Sequence, residues 1–162
     1  MTEFPIGLYG VDNPRQVALL QAAGFDAIRP SGDADAYKRV VAQADRLGMM
    51  TLLHPAEPAG ADSPPRSRRV WYLEDEPDVN GMSRDRLAEI ERSARARRPH
   101  EPTAFVVGDG RRAKEYYGVA DVIMVDWYPV PHLPLESAGE HVRLTAAAAG
   151  GRKVWAVLQA MD

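Results

Sequence analysis

Acidic, amide and aromatic side chains stand at the ends of apolar runs along this chain. Glu74-Asp75-Glu76 closes Val70-Trp71-Tyr72-Leu73, Asp126 and Tyr128 close Val122-Ile123-Met124-Val125, and Gln159 closes Lys153-Val154-Trp155-Ala156-Val157-Leu158. Tyr9 with Asp12, Arg29, His54 and Asp109 hold the same place in the other runs, and Asp162 ends the chain. Carboxylates gathered round a cleft can act as acid, base or nucleophile at a glycosidic bond. Aromatic faces beside them can stack on pyranose rings. Three adjacent acids also repel one another, so at least one holds its proton to a higher pH. A general acid working near neutrality needs that property.

Strand alternation sorts these residues. Tyr72, Glu74 and Glu76 share one face of their strand, with Trp71, Leu73 and Asp75 on the other. Met124, Asp126 and Tyr128 share a face, as do Trp155, Val157 and Gln159. The consistent choice brings Glu76, Asp126, Tyr128 and Gln159 together, with Asp75 retained because alternation can fail at strand ends. Glu76, Asp126 and Asp75 are therefore the expected catalytic residues, and Tyr9, Arg29, His54, Tyr128 and Gln159 the expected substrate contacts. Structural roles compete with each: Glu76 before Pro77 can simply close a strand, Asp126 can pair with Arg29, and His54 before Pro55 can be a satisfied histidine. Trp71 and Trp155 read as packing, His100, His132 and His141 as loop or helix-surface residues, and Arg66, Arg68 and Arg69 as a solvated basic rim. His54, Glu76 and Asp126 would suit a metal as nitrogen and oxygen ligands, but no HxH or HExxH spacing supports one. No metal or cofactor is expected.

The elements that must position these residues follow a strand–helix rhythm. Strands are predicted at 6–11, 25–30, 49–54, 70–77, 103–107, 121–128 and 153–159. Between them Asn13-Pro14, Asp33 and Ser83 read as helix starts, and Gly24, Gly48 and Gly150-Gly151 as stops. Residues 55–69 are rich in Pro, Gly and Ala and read as a loop where a helix is due. Strands separated by helices imply parallel pairing with right-handed crossovers. No glycine-rich phosphate loop follows the first strand, and polar residues close nearly every strand. Both features favour an α/β barrel of the TIM type over a dinucleotide-binding sheet.

Composition narrows the rest. The 162 residues fit one domain, 1–162, yet a TIM barrel ordinarily takes ~200 or more. With 45% hydrophobic and 27% charged residues and a net charge of −3, the chain is no disordered tail, and nothing suggests a nucleic-acid partner. The absence of cysteine excludes disulfides and thiol nucleophiles. No apolar run approaches the ~18 residues of a membrane span, and no secretory signal opens the chain. The expectation is a cytoplasmic protein or a trimmed portion of a secreted one.

Three segments carry a resemblance: Trp71-Tyr72-Leu73-Glu74-Asp75-Glu76-Pro77-Asp78, Ala120-Asp121-Val122-Ile123-Met124-Val125-Asp126-Trp127-Tyr128-Pro129 and Lys153-Val154-Trp155-Ala156-Val157-Leu158-Gln159-Ala160. With Phe4-Pro5-Ile6-Gly7-Leu8-Tyr9 they resemble bacterial members of the glycoside hydrolase TIM-barrel superfamily. The resemblance implies an acid/base Glu before Pro at the end of the fourth strand, which Glu76 matches, with Asp75 where Asn is commonest. It implies a nucleophilic Glu at the end of the seventh strand, where this chain has Gln159. Three readings follow: Asp126 is the second carboxylate, Asp162 is, or the protein binds carbohydrate without cleaving it. The resemblance stops at the seventh strand, so an incomplete barrel is expected, with an open seam that a seven-strand closure, a second copy of the chain or a missing segment would cover.

Overall fold

The computed structural model describes residues 5–57 and 68–160. Seven strands alternate with helices: β1 (Gly7–Val11), α1 (Pro14–Ala22), β2 (Ala27–Pro30), α2 (Ala34–Leu47), β3 (Met50–Leu53), β4 (Arg68–Asp75), α3 (Arg84–Arg97), β5 (Thr103–Val107), a 3₁₀ helix (Gly110–Tyr116), β6 (Val122–Asp126), α4 (Glu136–Ala148) and β7 (Lys153–Val157). The strands form one sheet in the order β1 to β7, and the fold is an incomplete α/β barrel of the TIM type. The chain divides into two compact units, 1–71 and 72–162, with the boundary inside β4.

In the first unit the expected starts and stops are in place. Asn13 caps α1 through Arg15 N, and the Gln16 side chain returns to Asn13 N as a capping box. Asp33 accepts from Asp35 N and Ala36 N to cap α2, and Gly48 ends it in the left-handed conformation at φ 67°. The buried stripe Tyr37, Val40, Val41 and Ala44 is the one the spacing predicts. Val40 and Ala44 pack with Val11, Val17, Ile28 and Met49.

The basic rim is a correction. Arg68 and Arg69 belong to β4, pairing in register with Met50 and Thr51. Arg69 is buried and pairs with Asp45 at 3.4 Å, while Arg68 faces Asp26 at 3.8 Å. An arginine inside a strand reads as solvated from sequence because its buried partner lies more than 20 residues away. Arg66 and most of the expected loop at 55–69 lie outside the described residues.

In the second unit β5 is buried at all five positions, as a parallel strand covered on both faces should be. β5 and β6 pair from Ala104–Val122 to Val107–Val125, and β6 and β7 from Val122–Lys153 to Asp126–Val157. This pairing sets the ends of β5, β6 and β7 in register. The helix α4 buries His141 and Thr145, one turn apart, against the 3₁₀ helix. His141 is therefore no surface residue: its ring stacks on Trp127 at 3.7 Å and 11°, and its Nδ1 accepts the Gly110 N–H at 3.1 Å.

Candidate functional site

The end of β4 departs from regular strand geometry. The strand stops at Asp75, and Glu76 takes φ +46°, the left-handed region that non-glycine residues rarely occupy. Such a conformation persists only where its surroundings enforce it. Here the Glu76 N–H donates to the Val106 carbonyl at 3.1 Å, while the Glu76 carbonyl accepts from Val79 N and Asn80 N. The turn also undoes the expected alternation. Asp75 and Tyr72, three residues apart, meet through a Tyr72 hydroxyl hydrogen bond to Asp75 Oδ1 at 2.6 Å.

The Glu76 carboxyl faces that of Asp126 at the end of β6. Asp126 Oδ1 is shut off from water and has no hydrogen-bond partner, while Oδ2 accepts from the Tyr128 hydroxyl at 3.4 Å. Burial first, then the nearby charges of Glu76 and Asp75, push Asp126 up to about 7. Burial, Asp75 and Asp78 push Glu76 up as well. Tyr128 rises to about 12, mainly by burial and then by the Asp126 charge. Of the two, Asp126 is the group held protonated up to about 7.

Gln159 reaches elsewhere: its Oε1 accepts from Val130 N and its Nε2 donates to Val130 O, both at 3.2 Å, a reciprocal amide pair with the loop after β6. Asp162 lies outside the described residues.

The remaining expected contacts belong to the first unit. Tyr9 pairs in register with Arg29. Arg29 makes a two-pronged ion pair with Glu57 at 3.0 and 3.2 Å. Glu57 also accepts from the Tyr37 hydroxyl and, at 2.6 Å, from His54 N, while His54 Nδ1 accepts from Ala56 N. Glu57 thus organises Arg29 and His54 into one cluster. Sequence reading missed it because it lies in a segment with no helical stripe; its only signal was a lone acid three residues past His54.

Asp78 and His141 were missed too. Asp78 is 2% exposed, and its two oxygens accept from Gly108 N and Asp109 N, both at 3.0 Å, tying the turn after β4 to the end of β5. Its signal was an acid directly after Glu-Pro. The signal for His141 was its one-turn spacing from Thr145. Among the described residues no group of three or more His, Asp or Glu side chains is arranged to hold a metal ion.

Comparison with solved structures bears on the fold. A glycoside hydrolase family 17 β-1,3-glucanosyltransferase from Rhizomucor miehei superposes with a TM-score of 0.70 at 13% identity, over 94% of this chain and 70% of that one. The likeness is one of fold. A GH2 β-galacturonidase from Eisenbergiella tayi, bound to galacturonate, superposes with a TM-score of 0.65 at 12% identity, over 94% of this chain and 34% of that one. This chain thus spans about a third of the second enzyme's length. No protein-family model and no curated protein sequence matches the chain.

A stability consequence follows from Asp126. Its proton is held to about 7 in the fold and to an ordinary 3.8 when unfolded. Between these values the folded form is protonated and the unfolded form is not, so stability is full below pH 3.8 and falls as pH rises toward 7. At ~1.4 kcal/mol per pH unit, and with part of the effect shared by the Glu76 proton, Asp126 destabilises the fold by roughly 2 kcal/mol at pH 8. Asp126→Asn should remove this burden. Urea unfolding should show the variant about 2 kcal/mol more stable than the parent at pH 8 and equal to it at pH 4. A gain of the same size at both pH values would contradict this account.

Proposed function

We propose that this protein cleaves glycosidic bonds, with Glu76 delivering the proton to the leaving oxygen. The single observation that carries the reading is the place of Glu76: a turn at φ +46° at the end of β4 holds its carboxyl where burial and the charges of Asp75 and Asp78 raise its hold on a proton. Asp126 faces it and is itself pushed up to about 7, Asp75 adds to the charge that raises both, and the Tyr128 hydroxyl donates to Asp126. Tyr9, Arg29, His54 and Gln159 stay on the reading as substrate contacts. The glycoside hydrolase folds of the two neighbours support it, and β-1,3-glucan oligosaccharides and galacturonides are the first substrates to try.

A second reading, carbohydrate binding without cleavage, is favoured by Gln159. An amide cannot act as a carboxylate nucleophile, and this one is paired with Val130. The experiment that separates the two readings incubates the purified chain with those oligosaccharides, follows new reducing ends, and repeats the assay with Glu76→Gln. Release by the parent that the variant lacks establishes cleavage. Equal release by both removes Glu76 from the chemistry. Heat of binding in titration calorimetry without release supports binding alone.

A further inference from the structure

We propose that Gly108 and Asp78 are positioning residues for Glu76: Gly108 leaves the space the carboxyl occupies, and Asp78 fixes Gly108 beneath it. The inference rests on the reading of Glu76 as proton donor and extends it to the residues that aim the donor.

Gly108 follows β5, and the carboxyl of Glu76 lies where its side chain would begin. A Cβ added to Gly108 would stand 2.8 Å from Glu76 Oε1, 3.2 Å from Glu76 Cδ and 2.8 Å from Val79 Cγ2. Real Cβ atoms do not approach so closely, so any side chain at 108 displaces the Glu76 carboxyl, Val79, or both. All three obstructing atoms belong to side chains. Val79 is 62% exposed and free to turn away. The conflict at 108 therefore falls on the acid and not on the backbone.

Asp78 sets the height of this floor. Its oxygens receive consecutive backbone N–H groups, those of Gly108 and Asp109. Its own backbone carbonyl receives the Arg112 guanidinium. A carboxylate buried to this degree and bonded to two consecutive amides holds that peptide segment in one position. The same turn carries Glu76 two residues earlier, so Asp78 connects the base of the acid to the surface on which it rests. The charged or titratable groups that face Glu76 are Asp75 and Asp78 on its own turn and Asp126 on β6. Asp126 in turn faces Glu76, Asp75 and Tyr128, and Arg112 faces Asp78. None of them obstructs position 108.

The test places Gly108→Ala in a Val79→Ala background, which removes the Val79 conflict and leaves that with Glu76. Carboxyl-carbon NMR titration reports the pair, and steady-state kinetics on a cleaved oligosaccharide report turnover. Val79→Ala alone should leave Asp126 titrating near 7 and kcat within about twofold of the parent. Adding Gly108→Ala should move the Asp126 titration below that of Val79→Ala, because the Glu76 charge is carried away from it, and lower kcat by about 100-fold, as expected for a reacting group displaced by an ångström. KM should move by less than about threefold, because substrate contacts are untouched. Asp78→Asn, which keeps the shape but offers one acceptor in place of two, should shift the Asp126 titration in the same direction by less. A double variant whose Asp126 titration and kcat match those of Val79→Ala overturns the proposal. If the parent cleaves nothing, the reading of Glu76 as donor fails by itself, and the titration of Asp126 still decides whether Gly108 places the pair.

Discussion

Glu76→Gln should lower kcat by two to four orders of magnitude on oligosaccharides, the range that removal of a positioned general acid produces. Glutamine keeps the size of the side chain, so the loss is one of chemistry and not of structure. It should be largest for sugar leaving groups, whose oxygens depart poorly without a proton, and smallest for nitrophenol, which departs well as an anion. The parent's pH profile should carry the same signature. Its donor is loaded while Glu76 keeps its proton, and burial with the charges of Asp75 and Asp78 moves that loss to higher pH. The alkaline limb of kcat/KM should therefore fall above the ordinary carboxylate range. In Glu76→Gln, Asp126 loses the charge of Glu76 and should ionise at lower pH, which carboxyl-carbon NMR reads directly. A parent profile flat from pH 5 to 9 would separate the pair from catalysis.

Gly110→Ala should unfold the second unit or come close to it. Gly110 opens the 3₁₀ helix, and its N–H donates to His141 Nδ1. A methyl group there would fall deep inside the van der Waals surface of the His141 carbonyl oxygen and 2.8 Å from Thr145 Oγ1. These atoms belong to α4, whose Thr145 hydroxyl already donates to the His141 carbonyl. Unlike position 108, this site is obstructed by backbone, which yields only if the helix moves. Overpacking of this kind destabilises by ~1–3 kcal/mol, and by more where backbone must shift, so a loss of about 3 kcal/mol or more in chemical denaturation is expected. Gly139→Ala supplies a control of opposite sign. Gly139 lies within α4 with open space around its Cα, and alanine there should stabilise by ~0.5–1 kcal/mol through helix propensity. Two glycine-to-alanine changes, one on α4 and one packed against it, should thus move stability in opposite directions.

Local rules account for what the sequence made legible. Asn13-Pro14, Asp33, Ser83 and Gly48 announce helix ends because caps depend on neighbours within four residues. The seven strands and their parallel order follow from period and from the helices between them. Arg69, Glu57, Asp78 and His141 were read less well, since each is defined by contacts, most of them more than 20 residues away in the chain. The Tyr72–Asp75 contact escaped strand alternation for another reason: β4 ends in a turn at Glu76 that the period of two cannot register. The candidate pair Glu76–Asp126 was legible as two acids at strand ends, but the burial that pushes Asp126 up to about 7 was not.

The amide pair between Gln159 and Val130 makes residue 159 intolerant of glutamate. Glutamine satisfies both the N–H and the carbonyl of Val130. A glutamate in its place would keep the first bond and turn an acceptor toward an acceptor in the second, leaving the Val130 carbonyl without its partner. Placing a carboxylate at the end of β7 would thus cost the amide pair that anchors the 129–135 loop, and a Gln159→Glu protein should be less stable than the parent.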